Sequence, residues 1–383
     1  MKATVVGAGI GGLTAALALR NAGIDVEIHE QTSELREVGA GISLWANAIR
    51  ALAKLGLGEA LQARSVAYSR TAILRADGQV IAESLLDELV RSLGAGEIPA
   101  LLVLHRADLL GMLSGRLDCA IRLGQTCTGF EMLEDRVIAR FAGGVEVESD
   151  LLIGADGIHS GIRAQLRPGE RVHYSGYTAW RAVSKFEAAG WGVTETWGRG
   201  RRFGVVPMAG GLVYWFATQN APQGQTDPPG AAKQNLLELF QGWHDPIHAL
   251  ISATQGSAIL RNDIQDRDPL ANWGTGRVTL LGDAAHPMTP NFGQGGCQAI
   301  EDALVLARML RTHSEVPAAL RSYEAERIAR TTPIVLRSRQ AGVLAQLENP
   351  LACRIRDFTV GKIPRAVMLR QLQSMVGYTG HLN

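Results

Sequence analysis

Residues 1–30 read MKATVVGAGIGGLTAALALRNAGIDVEIHE. The apolar run at 3–7 stops at a glycine, residues 13–22 form a small-residue helix, and DVEIH at 25–29 is a second strand. Between the first strand and the helix, Gly7-Ala8-Gly9-Ile10-Gly11-Gly12 fits GxGxxG. In that pattern the first glycine allows a tight turn, the second lets a pyrophosphate approach the backbone, and the third allows close helix–strand packing. Unpaired N–H groups and a partial positive charge at the helix N-terminus suit the phosphates. Glu30, eighteen residues after Gly12, ends the second strand, where a carboxylate can accept both ribose hydroxyls. A glycine-rich turn without a ligand is the alternative; strand context and Glu30 together favour a dinucleotide. Either NAD or FAD suits a glutamate there, and a 2′-phosphate does not.

The rest of the chain bounds the answer. Its 383 residues allow two domains, or one with a substantial insertion. An apolar fraction of 46% and a charged fraction of 20% are ordinary for a soluble globular protein. A net charge of +1 argues against bulk attraction to nucleic acid or anionic lipid. Cys119, Cys127, Cys297 and Cys353 show no metal-ligand spacing, so free thiols in a reducing compartment and no metal are expected. The N-terminal apolar stretch is interrupted by glycines and continues into a strand, unlike a secretory signal. No later segment supplies about eighteen uninterrupted apolar residues, the length of a spanning helix. A cytoplasmic protein is expected.

Further along, AIRALAKLGLGEALQ from about Asn47 is helical, and YSRTAILRADGQVIAES carries a hairpin signal at Asp77-Gly78. RADLLGMLSGRL (106–117) is helical, and short strands lead to DLLIGADG (150–157). Residues 172–220 alternate and are rich in aromatics, the pattern of an antiparallel sheet with one face on a cavity. APQGQTDPPGA (221–231) is a loop, followed by a helix from about Lys233, the strand RVTLLGD, and helix over about 297–340. The simplest assembly is an α/β parallel domain made from separated pieces, with a mostly β domain inserted between them.

Two more motifs sit far apart: DLLIGADGIHSGIR (150–163), with Asp156-Gly157, Ser160 and Arg163, and LLGDAAHPMTPNFGQGG (280–296). With the N-terminal glycine loop, they resemble the three fingerprints of the single-component FAD-dependent aromatic hydroxylases, the para-hydroxybenzoate hydroxylase type. The resemblance runs in the right order to about residue 340. It implies a Rossmann-like FAD-binding domain in parts (1–67, 100–170, 275–340), a mostly antiparallel substrate domain (68–99, 171–274) and a helical tail (341–383). It also implies that Gly9, Gly11, Gly12 and Glu30 hold the adenosine diphosphate half of FAD. Asp283 would bind the ribityl hydroxyls. The helix reached through Pro290, Gly293, Gln294 and Gly295 would face the flavin pyrimidine edge and stabilise the reduced, negatively charged ring by about 0.3–2 kcal/mol. Arg106 would contact FAD near the pyrophosphate and ribityl chain, Asp156 would serve FAD and NAD(P)H, and Arg36 with 38–42 would run from adenosine towards the ring. No second GxGxxG is present, which fits transient binding of NAD(P)H in a groove.

The implied chemistry is reduction of FAD by NAD(P)H, formation of a flavin C4a-hydroperoxide with dioxygen, and oxygen transfer to an aromatic or heteroaromatic substrate. Arg202 and Tyr214 match positions that address substrate in related urate hydroxylases, but Asn291 stands where those enzymes carry Asp. Trp180, Arg181, Trp197, Trp215 and Phe216 either line the cavity or pack the sheet; alternation places Tyr214 and Phe216 on one face and Trp215 on the other. His286 reads as a histidine packed beside the flavin rather than an acid/base. Arg199, Arg201 and Arg202 suit a 2′-phosphate or a substrate carboxylate equally. MTPNFGQG, HYSGYTAWR and WGRGRRFG are also similar to alkyl-quinolone hydroxylases and xanthophyll epoxidases, so epoxidation of an apolar substrate is an alternative. An FAD-dependent dehydrogenase or oxidase, a silent flavin scaffold, and a homodimer all stay open.

Overall fold

The computed structural model describes residues 1–35, 40–94, 98–187 and 192–380. Its organising element is a five-stranded sheet in the order Val278–Leu280, Leu151–Gly154, Lys2–Val6, Asp25–His29, Ile121–Arg122, with every pair parallel. Leu151–Gly154 and Val278–Leu280 are buried at every position, as strands covered on both faces require. The helix Ile10–Asn21 lies against this sheet and against Gly295–Thr312, from the far end of the chain. Its alanines and glycines permit that close approach: Ala15, Ala16 and Ala18 are buried along with Leu13 and Leu19.

A second sheet has seven strands, in the order Leu260–Asp266, His173–Lys185, Leu212–Asn220, Arg201–Met208, Val193–Trp197, Arg70–Arg75, Val80–Leu85. The pairs are antiparallel except Val193–Trp197 with Arg70–Arg75, which run parallel. The mostly antiparallel sheet expected from the sequence is present, and the one parallel pair is the detail its pattern does not specify. The parallel pair arises because the hairpin at 70–85 comes from a distant part of the chain, so no local turn dictates its direction. Its turn is the expected one: Gly78 has φ +87°, and the Asp77 side chain accepts the Gln79 N–H at 3.0 Å.

Alternation sorts the aromatics of this sheet by face. Trp180, Phe203 and Trp215 pack with Leu236 and Leu250 from the helices Ala232–Leu239 and Ile247–Ala253, and with Phe240, which caps the first of them. Trp215 is fully buried, its indole N–H donating to Thr254 at 2.9 Å, so it belongs to the core. Tyr214 and Phe216 point the other way, towards the parallel domain.

Past the 30-residue helix Val316–Ala345, the tail forms two helices, Pro350–Gly361 and Arg365–Val376. Met375 and Val376 fill an apolar cluster with Leu86, Leu89, Leu101 and Val206, and the Arg50 guanidinium donates to the Val376 carbonyl at 2.8 Å. Among the described residues no helix is long and apolar enough to cross a membrane. The four cysteines are free thiols.

Candidate active site

Four parallel strands each end one to three residues before a position the sequence singles out. Gly7 follows Lys2–Val6, Glu30 follows Asp25–His29, Asp156 follows Leu151–Gly154, and Asp283 follows Val278–Leu280. Ligands of open parallel sheets bind outside these carboxyl ends. Backbone forbids a side chain at two of the four loop glycines, Gly7 and Gly12, and neighbouring side chains crowd a third, Gly11. A Cβ on Gly7 (φ +104°) would lie 2.4 Å from the Ala155 carbonyl oxygen, one on Gly12 would lie 1.9 Å from the Gly7 oxygen, and one on Gly11 would lie 2.8 Å from Leu281. A Cβ on Gly9 would meet nothing within 4 Å. Gly9 therefore keeps clear a space that protein atoms do not fill.

The acidic residues around that space are poised rather than spent. Glu30 is held by the loop, accepting the Ala8 N–H at 2.7 Å and the Thr32 N–H at 2.9 Å. Asp156 accepts the Gly161 N–H at 2.9 Å through Oδ2, while its buried Oδ1 has no hydrogen-bond partner among the described residues. Burial pushes the Asp156 carboxyl up, with the Ser160 hydroxyl pulling it back. The Asp283 side chain is open, yet burial also raises its carboxyl, opposed by His286 and Arg106. Both facts hold for a carboxyl on the floor of a cleft, reached by solvent but surrounded by protein.

Tyr214 closes the arrangement from the second sheet. Its ring rests on Gly41, where a Cβ would lie 2.7 Å from it, and its hydroxyl makes no hydrogen bond to a described residue. Burial raises the phenol, and Arg181 and Arg106 lower it. Arg106, first residue of the helix Arg106–Ser114, thus interacts electrostatically with both Asp283 and Tyr214. These three come from three separate chain segments, and only the fold brings them together.

The loop after Asp283 turns at Gly293 (φ +60°) and enters the helix Gly295–Thr312. No side chain caps that helix, and its first turn holds no acid, so its N-terminal N–H groups are left for an external acceptor. Pro290 is exposed beside it. The Gln294 side-chain carbonyl turns inward, accepting from Asn47 at 3.2 Å and Gln298 at 3.0 Å, while its buried Nε2 has no hydrogen-bond partner among the described residues. His286 is buried with Nε2 2.7 Å from Asp302, part of the wall behind the loop. Arg36 lies outside the described residues.

Three positions are more informative in space than in sequence. Fully buried Arg163 donates to the carbonyls of Ala284 and Ala285, each at 3.0 Å, and so ties the second motif to the third. Arg327, also fully buried, bridges Glu301 and Asp302 at 2.6 Å each. Adjacent acids in the otherwise apolar run AIEDALVLA are the signal that an internal cation would answer them. The neighbours Arg201 and Arg202 separate by face. Arg201 donates to the Leu239 carbonyl and lines, with Arg199, Arg75 and Trp243, another cleft of about 660 Å³. Arg202 points to the Tyr214 side and is 3% exposed.

An open backbone at Gly9, a buried oxygen of Asp156 without a partner among the described residues, an open carboxyl at Asp283 and an uncapped helix N-terminus together fit FAD. Fold and site define a flavoprotein that binds its dinucleotide at the ends of a parallel sheet. Residues 1–338 match the FAD binding domain family, and the chain belongs to that family. It is 45% identical over 361 residues to the aurachin C monooxygenase/isomerase of Stigmatella aurantiaca, covering 92% of each chain. It is 36% identical over 348 residues to the FAD-dependent urate hydroxylase of Klebsiella pneumoniae, covering 89% of each. The crystal structure of Klebsiella pneumoniae HpxO complexed with FAD and uric acid superimposes with a TM-score of 0.91 at 32% identity, over 98% of this chain and 96% of that one. The protein is an FAD-dependent monooxygenase of the aromatic hydroxylase family.

The glycine geometry gives a paired prediction. If the open space at Gly9 takes the cofactor pyrophosphate, Gly9→Ala should fold with wild-type stability but purify without flavin, because its methyl would occupy that space. Gly12→Ala loses fold and flavin together, since its Cβ would overlap the Gly7 oxygen. Circular dichroism melts and flavin absorbance separate the two; a Gly9→Ala protein with full flavin removes the pyrophosphate from that space.

Proposed function

We propose that this chain hydroxylates a small aromatic or heteroaromatic molecule, held between Tyr214 and the flavin, using NAD(P)H and dioxygen. FAD, when bound, accepts hydride from NAD(P)H and activates dioxygen. The chain's own residues do the rest. Asp283 accepts hydroxyl hydrogen bonds from the cofactor, and Glu30 accepts those of the adenosine ribose. The N-terminus of Gly295–Thr312 favours negative charge on the flavin edge. The face of the seven-stranded sheet bearing Arg202, Tyr214 and Phe216 is the substrate wall, with Tyr214 holding the substrate's acidic proton or its acceptor. Free thiols throughout the chain suit a reducing, cytoplasmic setting.

The observation that carries this reading is the Tyr214 hydroxyl: deep, without a hydrogen-bond partner among the described residues, and in the field of the same Arg106 that faces Asp283. Tyr214→Phe should lower kcat/KM for substrate about 10- to 100-fold, the cost of one well-placed hydrogen bond. Its flavin content should stay full. Unchanged substrate kinetics in Tyr214→Phe would remove the phenol from the substrate site.

A further inference from the structure

Arg202 does not present a free positive charge to its cavity. Its Nη1 donates to Glu195 Oε1 at 2.9 Å and to Asn291 Oδ1 at 2.9 Å, and its Nε donates to Gln346 Oε1 at 2.9 Å. Only Nη2 makes no hydrogen bond to a described residue. Glu195 also accepts the Trp197 indole N–H at 3.0 Å, so its carboxylate is fixed in place. The register puts Glu195 opposite Gly204 and Gly204 opposite Phe216. Gly204 has no side chain because the Phe216 ring lies over it; a Cβ there would be 2.0 Å from the ring. Glu195, Arg202 and Phe216 therefore share the face that carries Tyr214.

Asn291 adds no charge, and its surroundings require an amide. Its Nδ2 donates to the Ser338 carbonyl at 2.8 Å and to Thr289 Oγ1 at 2.8 Å. A carboxylate at that position would face the Ser338 carbonyl oxygen with like polarity. The cluster is thus one buried cation, one fixed carboxylate and neutral amides. An anionic ligand would gain little from a guanidinium already paired, and would sit near the carboxylate that pairs it.

We infer that the Glu195–Arg202 pair selects an uncharged heteroaromatic substrate bearing an acceptor oxygen, which Arg202 Nη2 can reach, over an anion of the same shape. Glu195 is the specificity-determining residue. This inference rests on the proposed placement of substrate against the Tyr214 face.

The test uses the FAD-loaded enzyme and a size-matched pair, 4-quinolone-2-carboxamide and 4-quinolone-2-carboxylate. Binding is read from the flavin absorbance difference, and oxygenation from product mass. The wild type should bind the carboxamide at least ~10-fold more tightly. Glu195→Gln keeps an oxygen for Arg202 and Trp197 but leaves the guanidinium uncompensated, so the preference should vanish or reverse. Equal or tighter binding of the carboxylate by the wild type, an unchanged preference in Glu195→Gln, or binding of neither compound overturns the inference. An oxygenated carboxylate product would do so while leaving the hydroxylase reading intact. Tight carboxamide binding with no product from any aromatic compound would overturn the hydroxylase reading and leave the preference for neutral ligands standing.

Discussion

Asp283→Ala should purify nearly colourless, with FAD affinity reduced about 10- to 100-fold. That range corresponds to about 1.5–3 kcal/mol for a lost hydrogen bond to a charged acceptor. The fold should survive, because the Asp283 carboxyl supports no described hydrogen bond inside the protein. The same carboxyl gives a pH dependence with a definite sign. Burial raises it above the usual carboxylate range in the unliganded protein. In the proposed site, cofactor hydroxyls would donate to its ionised form, so flavin retention should weaken as pH falls through that raised value and be full above it. Asp283→Asn should lose this pH dependence along with most of the affinity. Full flavin content in Asp283→Ala would exclude the carboxylate from cofactor binding.

The second large effect lies behind the loop. Arg327 donates Nε to Asp302 and Nη1 to Glu301, each at 2.6 Å, and Nη2 to Gln298 Oε1 at 2.7 Å. Asp302 in turn accepts the Gly282 N–H at 2.9 Å and holds His286, so the cluster fixes the turn that aims Asp283. Burial would raise both carboxyls, but Arg327 with Arg330 at Glu301, and His286 with Arg327 at Asp302, hold them below the usual range. Arg327→Met removes the cation shared by two interior carboxylates, leaving Glu301 to Arg330 and Asp302 to His286, and should cost about 3–5 kcal/mol of stability, read as a lower urea midpoint. Arg327→Lys should not rescue it, since an ammonium lacks the planar fork that reaches both acids. In the wild type, stability from these depressed carboxyls is present above their unfolded values near 4 and is lost as pH falls through the folded ones. In Arg327→Met the acids protonate more readily, so the deficit should be greatest near neutrality and shrink on acidification. A neutral-pH midpoint equal to wild type would contradict the account.

The parallel domain was legible because four of its five strands end in a short motif with its own physical logic. Gly7 and Gly12 must be glycine for steric reasons, and Glu30 sits where a strand stops. The alternation of Tyr214, Trp215 and Phe216 likewise assigned the faces of the second sheet. Long-range partnerships were less legible. Glu195 and Arg202 meet across one hairpin and only their ion pairing was hidden, whereas Arg163 with Ala284, and Arg327 with Glu301 and Asp302, join elements whose spacing in sequence says nothing about contact. The parallel pairing of Val193–Trp197 with Arg70–Arg75 was hidden for the same reason. Arg202 shows the consequence for function: its residue type suggests an anion, whereas its fixed partner Glu195 argues for a neutral ligand.

The most direct test of the central claim is the reaction of the yellow holoprotein with NADPH or NADH and a panel of phenols and N-heteroaromatics under isotopically heavy dioxygen. An aromatic monooxygenase should oxidise the nicotinamide faster when its substrate is present and yield a product heavier by one labelled oxygen atom. Substrate oxidation that consumes no nicotinamide, or product oxygen drawn from water, would contradict it.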